Sequence, residues 1–322
     1  MSEAHSAAFS FEGRTVWVAG HRGMVGSAIV RRLATEGCRI VTASRSELDL
    51  RRQAEVESWL DVTRPDAIFL AAATVGGIQA NATRPADFLY DNLAIESNII
   101  NAAWNTRVEK LLFLGSSCIY PRIAMQPISE DALLTGPLEP TNEWYAIAKI
   151  AGIKLCQAYR RQHGARFVSA MPTNLYGPID NFDLQSSHVL AALMVKIAAA
   201  KRNGYKSVEI WGSGTPHREF LHVDDLADAA THLMKVHESD VPINVGTGSD
   251  VSILELAEQI KAVVGFEGTF TFDRSKPDGT PRKLLDVSRL HALDWRHRIN
   301  LHEGIVSTYN WYRAHRPSNN DE

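Results

Sequence analysis

From Thr15 onward, short and continuously apolar runs alternate with stretches whose apolar residues recur three and four positions apart. Thr15-Val16-Trp17-Val18-Ala19 reads as a strand, and Met24 to Glu36 as a helix ended by Gly37. Further strands are expected at Arg39 to Ala43, Ala67 to Leu70, Lys110 to Gly115 and Phe167 to Ala170. Helices are expected at Gln53 to Leu60, Ile95 to Trp104 and Ala146 to Arg161. Strands that are apolar without alternation and separated by helices predict a parallel sheet covered on both faces. The expected fold class is therefore α/β, a Rossmann-type doubly wound sheet with its site at the carboxyl ends of the strands.

After Pro172 the rhythm loosens. Pro178, Asp180, Asn181 and Ser186-Ser187 mark loops around short helices. Strands expected at Val208 to Trp211, Phe220 to Val223 and Ile243 to Gly246 imply a chain that moves between a second lobe and the sheet. We expect residues 1–175, with later returns near 218–247, to form the dinucleotide-binding domain. Residues 176–322 would then be mainly a smaller, discontinuous α/β substrate lobe. The tail from His315 to Glu322 is polar and expected to fray.

Composition then removes whole classes of function. The 322 residues are 45% hydrophobic, enough for a sizeable core in one large or two modest domains. The formal net charge is -3 with the two signs interspersed, which offers no field for nucleic acid or an anionic membrane. The longest apolar run, Ala67 to Val75, is far short of the roughly 20 residues of a membrane helix. Met1 to Gly13 carries Glu3 and Glu12 and lacks the pattern of a signal peptide. Cys38, Cys118 and Cys156 are too few, and odd in number, for a disulfide framework, so a reducing cytoplasm is expected.

Chemistry enters at the first strand's end. Gly20-His21-Arg22-Gly23-Met24-Val25-Gly26 follows that strand and opens a helix. Glycines there allow a tight turn and close backbone approach, so a pyrophosphate can sit on the helix N-terminus. The second strand ends in Ala43-Ser44-Arg45, without the carboxylate that would bind the ribose hydroxyls of NAD. Arg22 and Arg45 together suit the 2′-phosphate of NADP. Asp49 can reach the adenine, or can cap the helix starting near Arg51.

Tyr145-Ala146-Ile147-Ala148-Lys149 sets a phenol and an ammonium four residues apart on one helix face. The ammonium is expected to favour the phenolate, letting Tyr145 exchange a proton with a carbinol oxygen. The strand end Gly115-Ser116-Ser117-Cys118 offers a hydroxyl to share that oxygen. Gly20 to Gly26, Ser116, Tyr145 and Lys149 together resemble the extended short-chain dehydrogenase/reductase family, from about Thr15 to Arg313. The resemblance implies a Ser116–Tyr145–Lys149 triad beside a bound nicotinamide and a nucleotide-sugar substrate.

The stretch Ser116-Ser117-Cys118-Ile119-Tyr120-Pro121 narrows the branch. The family's 4,6-dehydratases carry Asp-Glu where this chain has Ser117 and Cys118. A thiolate at Cys118 can remove a proton alpha to a ketone. With Pro140-Thr141-Asn142-Glu143, Pro172 to Pro178 and Lys276 to Lys283, the stretch is similar to the branch that epimerises C3 and C5 of GDP-4-keto-6-deoxy-D-mannose and reduces C4. That resemblance implies His188 as the acid opposite Cys118, and Pro172, Asn174 and Leu175 at an NADP(H) cofactor. It implies Lys196, Trp211, Arg218 and Asp278, with Lys283 in reserve, at the GDP moiety. It implies a homodimer, for which the apolar faces of Ile95 to Trp104 and Ile147 to Ala158 are candidates. No metal is expected. A 4-reductase without epimerisation would need neither Cys118 nor His188, and a GDP-colitose-type synthase stays open as a relative. A non-catalytic NADP sensor usually loses the tyrosine or lysine, and both are present.

Overall fold

The computed structural model describes residues 8–276 and 278–315; the first seven residues, Pro277 and the tail beyond His315 lie outside them. The first half runs β1 (Thr15–Ala19), α1 (Met24–Leu33), β2 (Arg39–Val41), α2 (Gln53–Thr63), β3 (Ala67–Leu70), α3 (Ile78–Thr83), α4 (Pro85–Asn105) and β4 (Lys110–Leu114). Next come α5 (Glu143–His163), β5 (Arg166–Pro172), β6 (Asn174–Tyr176), α6 (Val189–Asn203), β7 (Ser207–Trp211), β8 (His217–His222) and α7 (Val223–Val236). The chain closes with β9 (Ile243–Val245), β10 (Asp250–Ser252), α8 (Ile253–Val264), β11 (Thr269–Asp273), β12 (Arg282–Lys283), α9 (Ser288–Ala292) and α10 (Leu301–His315).

Six parallel strands form the main sheet in the order β2-β1-β3-β4-β5-β9. Apart from the edge strand β2, its strands are buried on both faces. Val16, Val18, Phe69 and Leu112 face α1 and α7, while Trp17, Ile68, Leu111 and Phe113 face α2, α4 and α5. This is the doubly wound α/β class expected from the unbroken apolar runs. The winding direction reverses between β1 and β3, where open sheets of this kind form a ligand crevice. Among the described residues no helix is long and apolar enough to cross a membrane.

A second core gathers α6, α8 and α10 over Tyr176, Ile210 and Phe220. Strand β8 is its hub, pairing with β6, β10 and β12. The short β10 and β12 carry too few residues for a period to show in sequence. Helix α4 begins at Pro85, ten residues ahead of the periodic stretch, and proline suits that first helical position. The expected strand from Phe220 to Val223 instead spans His217–His222, and Val223 opens α7. His222 caps that helix through its ring, accepting from the Asp224 amide at 3.2 Å. The adjacent Asp224 and Asp225, which sequence alone offers as caps, serve elsewhere. Asp225 accepts from the Ile299 amide at 2.9 Å, and Asp224 pairs with Arg31 at 2.6 Å.

The apolar faces offered as a subunit interface are largely internal. Ile95, Ile99, Ile100, Ile150 and Ile153 lie in the core between sheet and helices. The large apolar side chains pointing outward from α4 and α5 are Tyr90, Trp144 and Ile147.

One carboxylate ties the two lobes together. Glu219, on β8, is fully buried and accepts from the amides of Thr247 at 2.6 Å, Gly248 at 2.7 Å and Leu285 at 3.0 Å. Burial pushes its carboxyl upward, against those hydrogen bonds. Glu219→Gln turns one acceptor into a donor facing amide donors. We expect it to cost about 1–3 kcal/mol, read as a lower urea midpoint at unchanged slope; an unmoved midpoint would remove this tie from the account.

Candidate active site

Every site candidate named from the sequence lines one cavity of about 860 Å³ between the lobes. At its sheet end, β1 delivers Gly20 at φ +90, in the left-handed region. A Cβ there would lie 2.7 Å from the Ala72 amide nitrogen, and one at Gly26 would lie 2.1 Å from the Gly20 carbonyl. The loops after β1 and β3 thus meet backbone to backbone. Gly23 caps α1 without a side-chain hydrogen bond, and no acid occupies the first turn. The free amides of that helix end are a cradle for a phosphate anion, so a dinucleotide pyrophosphate fits.

His21, Arg22, Met24, Val25 and Arg45 line the same end. Among the described residues' ion pairs, Arg22 and Arg45 appear in none, whereas Arg51 grips Asp49 at 2.8 Å and Asp91 at 3.3 Å. Asp49 reaches the cavity with its carboxyl pulled down to about 2 by Arg51, so it arrives already engaged. It caps no helix either, since α2 starts at Gln53 with Arg52 in the cap position. Glu47, the acid nearest the end of β2, folds back to accept from the Ser44 amide and hydroxyl, each at 2.7 Å. Pro172, Asn174 and Leu175 close this end, with Asn174 donating to the Glu219 carbonyl at 2.8 Å.

The middle of the cavity holds the side chains expected to react. After β4 the chain leaves Ser116 extended, its hydroxyl accepting from the Cys118 amide at 3.3 Å as a short turn begins. The Cys118 sulfur has two donors around it, Asn142 Nδ2 at 3.3 Å and Lys283 Nζ at 3.8 Å. One turn apart on α5, Tyr145 and Lys149 share a face, with Lys149 Nζ 5.9 Å from the Tyr145 ring centre and 4.6 Å from that of Phe113.

The expected lowering of the tyrosine is not what the surroundings produce. Burial drives the Tyr145 hydroxyl well above its ordinary value, with Cys118 and Glu96 adding to that and the Ser116 hydroxyl opposing it. Burial draws Lys149 down, against the pull of Glu96. The pair therefore favours a phenol that keeps its proton. His188 stands at the cap of α6, exposed where it lines the cavity, and desolvation by the surrounding walls lowers its imidazole.

The far end is cationic and aromatic. Lys196 Nζ lies 4.8 Å from the centre of the Trp211 ring, and burial draws its ammonium down. Arg218 donates to the His217 carbonyl at 2.8 Å; burial lowers its guanidinium, opposed by Cys118, Glu139 and Asp278. The Asp278 carboxylate is engaged with Ser213, accepting from its amide at 2.7 Å and its hydroxyl at 2.9 Å.

Sequence reasoning assigned no role to several polar groups here. Asn142 Oδ1, Asp180 Oδ2, Ser187 Oγ and Asn81 Oδ1 are buried, have no partner among the described residues, and belong to residues lining the cavity. Asp180 is pushed up to about 7 by burial. Asn142 belongs to the stretch Pro140-Thr141-Asn142-Glu143, whereas the others carry no signal that a single sequence exposes. Glu96, which acts on both Tyr145 and Lys149, lies just outside the lining, on α4.

Comparison with known proteins bears on what this cavity does. Residues 16–246 match the NAD dependent epimerase/dehydratase family. The GDP-L-fucose synthase of Sinorhizobium fredii is 58% identical over 94% of this chain and 96% of its own. That of Escherichia coli is 56% identical over 92% of this chain and 96% of its own. The structure of a GDP-L-fucose synthetase from Naegleria fowleri bound to NADP superposes with a TM-score of 0.87 at 28% identity, covering 97% of this chain and 98% of its own.

Proposed function

This chain belongs to the NAD dependent epimerase/dehydratase family, and from that premise we propose that it turns GDP-4-keto-6-deoxy-D-mannose into GDP-L-fucose. The reaction is epimerisation at C3 and C5 followed by reduction of the C4 ketone. The observation that carries this reading is one cavity lined by both Cys118 and His188 and by Ser116, Tyr145 and Lys149. A plain reductase needs only the last three.

In this proposal Cys118 takes the proton from the carbon beside the ketone, and His188 returns one from the opposite face. The lowered imidazole makes the cationic form of His188 a stronger acid toward the enolate carbon. Ser116 holds the ketone oxygen and stabilises the enolate as charge develops there. NADPH, when bound, supplies the hydride for C4. Tyr145 protonates the new alkoxide, and its raised hydroxyl keeps that proton loaded at neutral pH. Lys149 positions the nicotinamide ribose. Trp211 offers a stacking face to the guanine, while Lys196 and Arg218 offer charge to the diphosphate. Arg22 and Arg45, without ion-pair partners among the described residues, are the proposed seat of the 2′-phosphate.

The test is an NMR experiment in deuterated buffer with NADPH and substrate made in ordinary water. GDP-fucose labelled at C3 and C5 is expected. Unlabelled GDP-rhamnose would make the protein a plain reductase. Cys118→Ser is expected to slow exchange by about 100-fold or more; exchange at the wild-type rate would sink the assignment of the base. Arg45→Ala is expected to raise KM for NADPH roughly tenfold without changing that for NADH, because one charge-assisted contact is lost. Equal loss with both cofactors would contradict the 2′-phosphate seat. We further propose a homodimer through the outward faces of α4 and α5, where Tyr90 is 68%, Trp144 40% and Ile147 41% exposed. Sedimentation equilibrium reading a monomer at micromolar protein would exclude it.

A further inference from the structure

Glu96 is 2% exposed on α4, and its carboxylate has no side-chain hydrogen-bond partner among the described residues, only the nearby Gly152 amide. A carboxylate enclosed in this way is costly unless a positive charge stands nearby. Its surroundings locate that charge. A Cβ at Gly152, on the neighbouring α5, would lie 2.9 Å from Glu96 Oε2 and 2.4 Å from Phe113 Cζ. The absent side chain is what admits the carboxylate between the helices. Lys149 lies three residues earlier, on the same face of α5, and its ammonium is 4.6 Å from the centre of that same Phe113 ring. Glu96, Phe113, Gly152 and Lys149 thus form one packed cluster on the protein side of the reactive pair.

We infer that Glu96 is a positioning residue for the reduction step: its enclosed carboxylate holds the Lys149 ammonium charged and in place beside Tyr145. The inference rests on the assignment of Tyr145 and Lys149 to ketone reduction made above. The titratable groups that Glu96 acts on are Lys149, Tyr145 and Cys156, all on α5; β4 contributes the uncharged Phe113. Lys149 is the charged group acting back on it. Burial pushes the Glu96 carboxyl up to about 7, with Lys149 and then the Gly152 amide opposing, so it is ionised on the alkaline side. There its negative charge raises both Lys149 and Tyr145 and preserves the proton-donating form of the site.

Glu96→Gln keeps the shape and removes the charge. Lys149 and Tyr145 should then lose their protons at lower pH. The expected result is an alkaline limb of NADPH-dependent ketone reduction displaced downward by on the order of one pH unit. Deuterium exchange at C3 and C5 should keep its wild-type pH dependence. Glu96→Asp, with the charge drawn back by one methylene, should move the limb the same way by less, and it decides the matter if the glutamine variant does not fold. A second readout is stability. A glutamate raised in the folded state contributes stability that is present at acid pH and lost as pH rises through about 7. Wild type should therefore lose stability relative to Glu96→Gln between the ordinary glutamate value of 4.5 and about 7. A limb that stays in place, with rates lowered equally at every pH, or parallel stability curves, would overturn the inference and leave Glu96 a packing residue. Reduction that survives in Tyr145→Phe would instead refute the assignment of the pair, whatever Glu96 does.

Discussion

The close seating of α5 against β4 is the constraint on which the site depends. It is possible because position 152 carries no side chain: a Cβ there would stand 2.4 Å from Phe113 Cζ. With the helix pressed down at that point, the face one and two turns earlier presents Lys149 and Tyr145 to the same cavity as Ser116 at the end of β4. The closeness has an electrostatic result as well. Tyr145 and Lys149 stand where burial works against their charged forms, and that raises the phenol and lowers the ammonium. A phenol that keeps its proton suits donation to a nascent alkoxide better than it suits oxidation of an alcohol.

A second close approach governs the cofactor end. Gly20 and the loop after β3 meet backbone to backbone at the point where strand order reverses, and the uncapped end of α1 opens beside them. The molecule carries a formal net charge of -3, yet this cavity collects Arg22, Arg45, Lys196, Arg218 and Lys283 along its length. Such a distribution fits two ligands that are both diphosphates. Glu219 keeps the two halves of that cavity in register, because a single carboxylate on β8 takes amides from the loop after β9 and from Leu285.

Much of this was legible beforehand, for reasons that differ by residue. The glycine loop was readable because its spacing and its place after a strand are local facts. Tyr145 and Lys149 were readable because four residues on a helix is one face. Cys118 was readable as chemistry through its neighbour Ser116, but its donors Asn142 and Lys283 come from 24 and 165 residues further along and were not. Asp49 was visible as an acid in the right place, while its engagement with Arg51 was not. Strands β10 and β12 exist through pairing with β8 and have no period of their own. Glu96 had no signal at all: one acid in an amphipathic stretch reads as a solvated residue until its neighbours are known.

By itself, then, the sequence determined the parallel α/β architecture, the phosphate cradle and the candidates for reactive side chains, which the fold gathers in one cavity. Those follow from period, from glycine's freedom and from residue chemistry, all of which act over a few neighbouring positions. Tertiary structure alone decided which charges are paired, which are enclosed and in what protonation state they rest. Burial and Coulomb forces depend on distances between segments far apart in the chain, and only the packed sheet and lobes set those distances.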